Sequence, residues 1–201
     1  MLLRNARLCI RSWTMHDDEL AEEWPPYNDP FEPLWNLPRQ LGLMSDPWAY
    51  FETSAMRRTW AVEDRFGRVI GRISLREIDT HNAHARLGIT FGAPYIGQGL
   101  GTDALALFLD HYFDDLGFLV MLLDVAAPNE RAVRSYDRLG FSLVGSDWRV
   151  ADSRFDRRVL DTPQYAHLRR FFRSSERGIE VEFYEMRLQK QDWFAHKQRH
   201  R

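Results

Sequence analysis

At 201 residues the chain is long enough to bury one sizeable core and short for two. A hydrophobic fraction of 44% and an aromatic fraction of 13% exclude a disordered chain. With 27 basic against 29 acidic residues, a net charge of -2, no global pull towards nucleic acid or an acidic membrane is expected. The single cysteine, Cys9, lies between Leu8 and Ile10 in a strand-like run, so a buried, inert thiol is expected and an internal disulfide is excluded. Charge interrupts residues 1–7 too early for a secretory leader, and the longest apolar run, 118–123, is too short to span a bilayer. The expectation is a soluble, cytoplasmic protein with no membrane partner.

Leu8 to Trp13 reads as a first strand, and Thr14 or Asp17 caps a short helix reaching about Trp24. Residues 25–47 then hold six of the nine prolines, and residues 24–51 hold seven aromatics. Proline at that density excludes regular sheet and long helix, while the aromatics need burial, so a packed, irregular lobe is expected at 24–51. It is either a loop folded over the core or a substrate-facing flap. Asp46-Pro47 starts a helix expected over 48–56. Residues 58–63 read as a strand, and 64–67 as a hairpin loop with Gly67 free to take positive φ. Val69, Gly71, Ile73 and Leu75 then alternate with Ile70, Arg72, Ser74 and Arg76. After a turn at 81–84, Ala85, Leu87, Ile89 and Phe91 alternate in the next strand, completing an antiparallel meander.

Next comes Tyr95-Ile96-Gly97-Gln98-Gly99-Leu100-Gly101-Thr102, which leads into a helix carrying Leu105, Phe108, Leu109, Tyr112 and Leu116 on one face. Alternate glycines let a backbone turn tightly and approach a ligand, and the amides after them are the unpaired donors at a helix's positive end. Strand, glycine loop and helix N-terminus together make an anion site, above all for phosphate. No Gly-Lys-Ser/Thr follows, and the glycine spacing is not the dinucleotide fingerprint. Gly117 caps the helix, and 119–125 reads as a central strand apolar on both faces. Asn129 then caps a second helix with Ala132, Val133, Tyr136 and Leu139 on its apolar face and Gly140 at its end. A strand is expected from Phe141 to Val144.

From 148 to 173 seven arginines accompany three aspartates; a solvated, ion-paired insertion is expected at 148–178, with a helix at 164–172. Those arginines are also the only basis for a nucleic-acid partner. In the last strand Ile179, Val181 and Phe183 change phase to Tyr184, Met186 and Leu188, as at a bulge or a strand covered on both sides. The tail after Trp193 reads as polar and frayed.

The order meander, glycine loop and helix, buried strand, then Asn129, Ala132, Tyr136, Gly140 and Phe141 resembles the GNAT superfamily of acyl-CoA N-acyltransferases. Within it the chain looks most like the branch that includes ribosomal-protein N-terminal and polyamine acetyltransferases. The glycine positions of the family's loop match; Ile96 stands where the family has a polar side chain. The resemblance implies one α/β domain over 1–201, with a mixed, strongly twisted sheet and helices on both faces. It implies acetyl-CoA as donor, no metal, and a primary amine acceptor, either a protein N-terminus or a small molecule. A homodimer is compatible with it. It also implies that the strand at Ile89 to Phe91 splays from its neighbour and bonds the pantetheine arm. Gly97, Gln98, Gly99, Leu100, Gly101 and Thr102 would cradle the pyrophosphate, Asn129 would orient the pantetheine, and Tyr136 would protonate the leaving thiolate.

Attack would be direct, and only a neutral amine attacks. A lysine-like amine with pKa about 10.4 is neutral about once in 2,500 molecules at pH 7. The branch often has Glu where this chain has Arg86, so Glu77, at the end of its strand, and His84 are the alternative bases, each against the reading of a surface or turn residue. A non-catalytic, CoA-binding regulatory domain is the competing class.

Overall fold

The computed structural model describes residues 2–39 and 57–199. The helix expected at 48–56 lies outside them. Among the described residues nine strands form one sheet: β1 (Leu2–Arg4), β2 (Leu8–Ser12), β3 (Arg58–Asp64), β4 (Val69–Asp79), β5 (His84–Phe91), β6 (Val120–Ala126), β7 (Ser142–Val150), β8 (Phe172–Ser175) and β9 (Gly178–Gln189). Their order is β1-β2-β3-β4-β5-β6-β9-β7, with β8 pairing β9 beyond the end of β6. All pairs are antiparallel except β5 with β6. A parallel pair needs a crossover, and α2 (Leu100–Asp110) supplies it.

Helices cover both faces, as expected. One face carries Ile73, Leu75, Leu87, Met121, Leu123 and Leu188, packed under Leu105 and Phe108 of α2, with Tyr136 of α3 (Glu130–Arg138) and Trp193 of α4 (Lys190–Arg199) closing the same core. The opposite face carries α1 (Met15–Glu22) and a second apolar cluster. There Phe31 and Leu34 of the 24–51 lobe meet Val181 and Phe183 of β9 and Leu160, Leu168 and Phe171 of the insertion. Phe31 packs edge-on to Tyr165 at 5.1 Å. Phe31 of the lobe is therefore buried against the insertion, a long-range pairing invisible to local pattern.

The N-cap of α1 is Thr14, in a capping box with Asp17. Gly67 takes φ 78 in the hairpin loop. Several elements differ from expectation. A short β1 precedes the expected first strand. Ile70, expected opposite the apolar face, is fully buried in the main core, because the β3–β4 register slips between Val62 and Glu63 and turns it inward. β7 runs to Val150, so the insertion begins inside a strand. The helix expected at 164–172 is a 3-10 turn over Ala166–Phe171. The tail after Trp193 belongs to the regular helix α4, anchored by Trp193 and Lys197 on Asp110. β9 keeps unbroken register with β6 from Phe183 to Gln189, while its pairing with β7 shifts between Leu143 and Gly145. Met186 and Leu188 lie in the main core and Val181 and Phe183 in the second cluster, so the strand is covered on both sides. Three of the insertion's arginines pair with its three aspartates, Arg154 with Asp152, Arg158 with Asp156 and Arg169 with Asp161. Among the described residues no helix is long and apolar enough to cross a membrane.

Candidate active site

β5 and β6 pair from His84–Val120 to Leu87–Leu123 and no further. Both strands continue, β5 to Phe91 and β6 to Ala126, so they part like the arms of a V. From Gly88 onward β5 keeps β4 on one edge and, among the described residues, has no strand on the other. The gap opens into a cleft of about 700 Å3 lined by residues 87–91 of β5, Asp124 and Val125 of β6, the glycine loop, and one side of α3.

Gly97 and Gly99 both take φ 77, where a Cβ is strained, and Gly99 is the N-cap of α2. The first helical bond is Asp103 N–H to Gly99 O, at 3.0 Å, so the amides of Leu100, Gly101 and Thr102 precede any intrahelical acceptor. The Phe91 ring lies within 3 Å of where a Cβ on Gly71 would stand and 3.5 Å from one on Gly101, so the ring wedges beneath the start of α2 because both positions lack side chains. The Tyr27 hydroxyl donates to the Phe91 carbonyl, tying the lobe to this arm of the V. Gln98 folds back, its Nε2 donating to Pro94 O at 2.7 Å. Arg7, which sequence pattern did not single out, donates to Gln98 O at 3.0 Å and pairs with Asp103.

α3 forms the far wall. Asn129 caps it, Oδ1 accepting from Ala132 N–H at 3.2 Å, which leaves the amide NH2 for the cleft. Tyr136 also lines the cleft, its ring 5.7 Å from Phe141. Burial pushes its hydroxyl pKa up to about 12, with Arg131 pulling weakly the other way. The structure thus brings Ile89, Phe91, Gly97, Gly99, Gly101, Thr102, Asn129 and Tyr136 to one cleft.

The alternative bases are elsewhere. Glu77, expected at a strand end on the apolar face, sits at an irregularity of β4 with φ 49; its side chain is 41% exposed and accepts from Arg86 Nε at 2.8 Å. His84 begins β5, at the opposite end from the glycine loop. Neither is among the residues lining the cleft.

Residues 119–125 are not apolar on both faces: the face opposite the main core carries Asp124. Its carboxylate, 2% exposed, meets Arg86 at 2.8 Å, Arg76 at 3.4 Å, Arg149 at 3.5 Å and Arg39 at 3.9 Å. Arg86, itself 3% exposed, also donates to Glu185 at 2.8 Å. Burial alone would lower the Arg86 pKa, but its three carboxylates more than offset that and raise it. The signals were an aspartate inside an otherwise apolar run and arginines alternating on β4.

Residues 7–142 match the family described as acetyltransferase (GNAT) domain. Spermidine N(1)-acetyltransferase of Escherichia coli (strain K12) is 35% identical over 79 residues, 39% of this chain. The match spans 42% of that relative's length. In fold, the chain is similar to a spermidine N-acetyltransferase from Vibrio cholerae solved with CoA and spermine (TM-score 0.66, 18% identity, 94% of this chain and 99% of that one). It is also similar to a GCN5-related N-acetyltransferase from Brucella melitensis (TM-score 0.65, 19% identity, 98% of this chain and 82% of that one). With the split parallel pair, the glycine-capped helix and the Asn129–Tyr136 helix in their places, the chain belongs to the acetyltransferase (GNAT) domain family.

Proposed function

We propose that this chain is an N-acetyltransferase that moves an acetyl group from acetyl-CoA to a primary amine by direct attack, within a single catalytic domain. The observation that carries the reading is the V between β5 and β6, which leads from the glycine loop past Tyr136. The pyrophosphate would lie on the amides of Gln98 to Thr102, and the pantetheine arm would run along the free edge of β5 at Ile89 and Phe91. Asn129 would steer it through its free amide. The acceptor would enter from the face that carries Asp124, Phe31 and Leu34.

In the reaction the amine lone pair forms the C–N bond, the C–S bond breaks, and one amine proton ends on the sulfur. Tyr136 is the donor for that sulfur. With the hydroxyl near 12 and a thiol near 8.5, full proton transfer would be uphill by about 5 kcal/mol. Tyr136 therefore acts first by hydrogen-bonding the departing thiolate, the amine's own proton completing the thiol.

Glu77, expected as a base, is held by Arg86 and acts as its anchor in this reading. A base is less needed than the bare amine pKa implies. Arg57, Arg72, Arg76 and Arg149 line the cleft, and like charges disfavour an ammonium, lowering its pKa.

Release of free thiol from acetyl-CoA across a panel of primary amines and short peptides tests the reading. Turnover that depends on an amine is expected. CoA binding without turnover of any amine would replace it with the non-catalytic, regulatory reading.

A further inference from the structure

Strand register separates the two sides of the V. Leu87, Leu123 and Phe91 face the core under α2, while Arg72, Ser74 and Arg76 of β4, Arg86 and Thr90 of β5, and Asp124 of β6 share the opposite face. The glycine loop and Tyr136 belong to the α2–α3 side, so a thioester reaching through the V is met from the Asp124 side. That side is cationic. Among the described residues Arg57, Arg72, Arg76 and Arg149 line the cleft there with one lining carboxylate, Asp124, which is already shared among four guanidinium groups; Glu77, Asp147 and Glu185 are held by Arg86 and Arg149 at its margin.

The arginines differ in how well they are satisfied. Arg86 donates to Glu77, Asp124 and Glu185, each at 2.8 Å, and is saturated. Arg149 donates to Asp147 and the Leu37 carbonyl and lies 4.0 Å over the Phe183 ring. Arg76 has only the long contact to Asp124, and its buried Nε has no partner among the described residues. Burial lowers its pKa first, and Arg86 and Arg149 lower it further against the pull of Asp124 and Glu77. Arg72 stacks 5.5 Å over Trp13 and has no carboxylate within ion-pair distance among the described residues. Trp35 Nε1, on another residue lining the cleft, is a second buried donor without a partner among the described residues. Buried donors left unpaired are costly, and a guanidinium fork matches a carboxylate or phosphate in two-point geometry.

We infer that the acceptor is an amine that also carries an anionic group, a carboxylate or a phosphate, taken up by Arg76 with Arg72 and Trp35. This rests on the amine-acetylating reading above and deepens it. A polycationic amine would meet unbalanced guanidinium groups and leave the Arg76 and Trp35 donors unpaired. An anionic tail satisfies them.

The test is equilibrium binding to the full chain saturated with CoA, read by calorimetry, which does not depend on turnover. The probes are ω-amino acids of two to six carbons, aminoalkyl phosphates, diamines of matched length, and spermidine. At least one anionic amine is expected to bind about 10- to 100-fold more tightly than its matched diamine, the worth of one or two charged hydrogen bonds. Carboxylate and phosphate arms identify the group. The preference is expected to vanish in Arg76→Gln and to survive in Arg158→Gln, a control on the insertion. Diamines or spermidine binding as tightly as every anionic amine, or a preference unchanged in both Arg76→Gln and Arg72→Gln, overturns the inference. Tight anionic-amine binding with no thiol release overturns the catalytic reading instead.

Discussion

Arg86 of β5 donates to Asp124 of β6 at 2.8 Å, and their chain neighbours Leu87 and Leu123 are the last residues through which the two strands pair. The ion pair therefore sits at the apex of the V, where both side chains are almost fully enclosed. Buried pairs are costly to break because the surviving partner stays desolvated. Asp124→Asn would leave Arg76, Arg86 and Arg149 crowded without their shared carboxylate. A loss of about 3–5 kcal/mol is expected, read from the urea midpoint at constant slope. A loss below about 1 kcal/mol would mean that the cluster contributes little to holding the V.

Gly99 has the φ that side chains avoid and stands at the helix end expected to receive phosphate. Gly99→Ala is expected to cost about 1 kcal/mol of stability through backbone strain alone, since only the end of the flexible Arg7 side chain comes within 4 Å of the added carbon. It should weaken CoA binding about tenfold or more, because the amides of Gln98 to Thr102 lose their common aim. Equal CoA affinity in calorimetric titrations of the two proteins would remove the loop from the phosphate site.

Asp17 is fully enclosed and accepts from Arg11 twice at 2.7 Å and from the Thr14 backbone and hydroxyl. The Arg11 hydrogen bond, offset in part by burial, holds its pKa down at about 2. The folded value lies below the unfolded one, so this stability is present above about pH 4 and is lost as pH falls through about 2. About 2 kcal/mol is at stake. Acid titration of stability is expected to show that loss in the parent chain and its absence in Asp17→Asn, which starts from a less stable state.

What local pattern carried well was the meander, the glycine-capped helix and the Asn129 helix, because alternation, caps and helical spacing are written within a dozen residues. Long-range compensation was unreadable. Glu77 resembled a spare carboxylate at a strand end until Arg86 was found donating to it from the next strand. Ile70 broke its own alternation because a slip in the pairing of β3 with β4 turned it inward. The proline-rich lobe became legible only through Phe31, which packs on Tyr165 from a segment 134 positions away.

Arg72 and Arg76 give a pH signature that the base-catalysed alternative lacks. If they depress the pKa of a bound amine that carries no anionic group of its own, the rising limb of kcat against pH should lie below the amine's solution pKa. Arg72→Gln and Arg76→Gln should each move that limb upward by about one unit, the shift expected from removing one nearby like charge. A limb fixed in both variants would point to a titrating protein base.

Tyr136→Phe separates the leaving-group role from packing. The hydroxyl has no hydrogen-bond partner among the described residues, and the ring's contact with Phe141 is kept, so stability near pH 7 should change by less than about 1 kcal/mol. If the hydroxyl serves the departing sulfur, kcat falls about 100-fold while KM for acetyl-CoA stays within about threefold, since the interaction belongs to the transition state. The raised pKa adds an independent check. Its folded value of about 12 lies above the usual tyrosine value of 10, so its contribution to stability is complete below about pH 10 and is lost as pH rises through about 12. The parent chain should therefore lose about 2–3 kcal/mol more than Tyr136→Phe over that range. An unchanged kcat in Tyr136→Phe, with the alkaline difference present, would leave Tyr136 a partly buried aromatic packed on the core and assign the sulfur's proton to the amine alone.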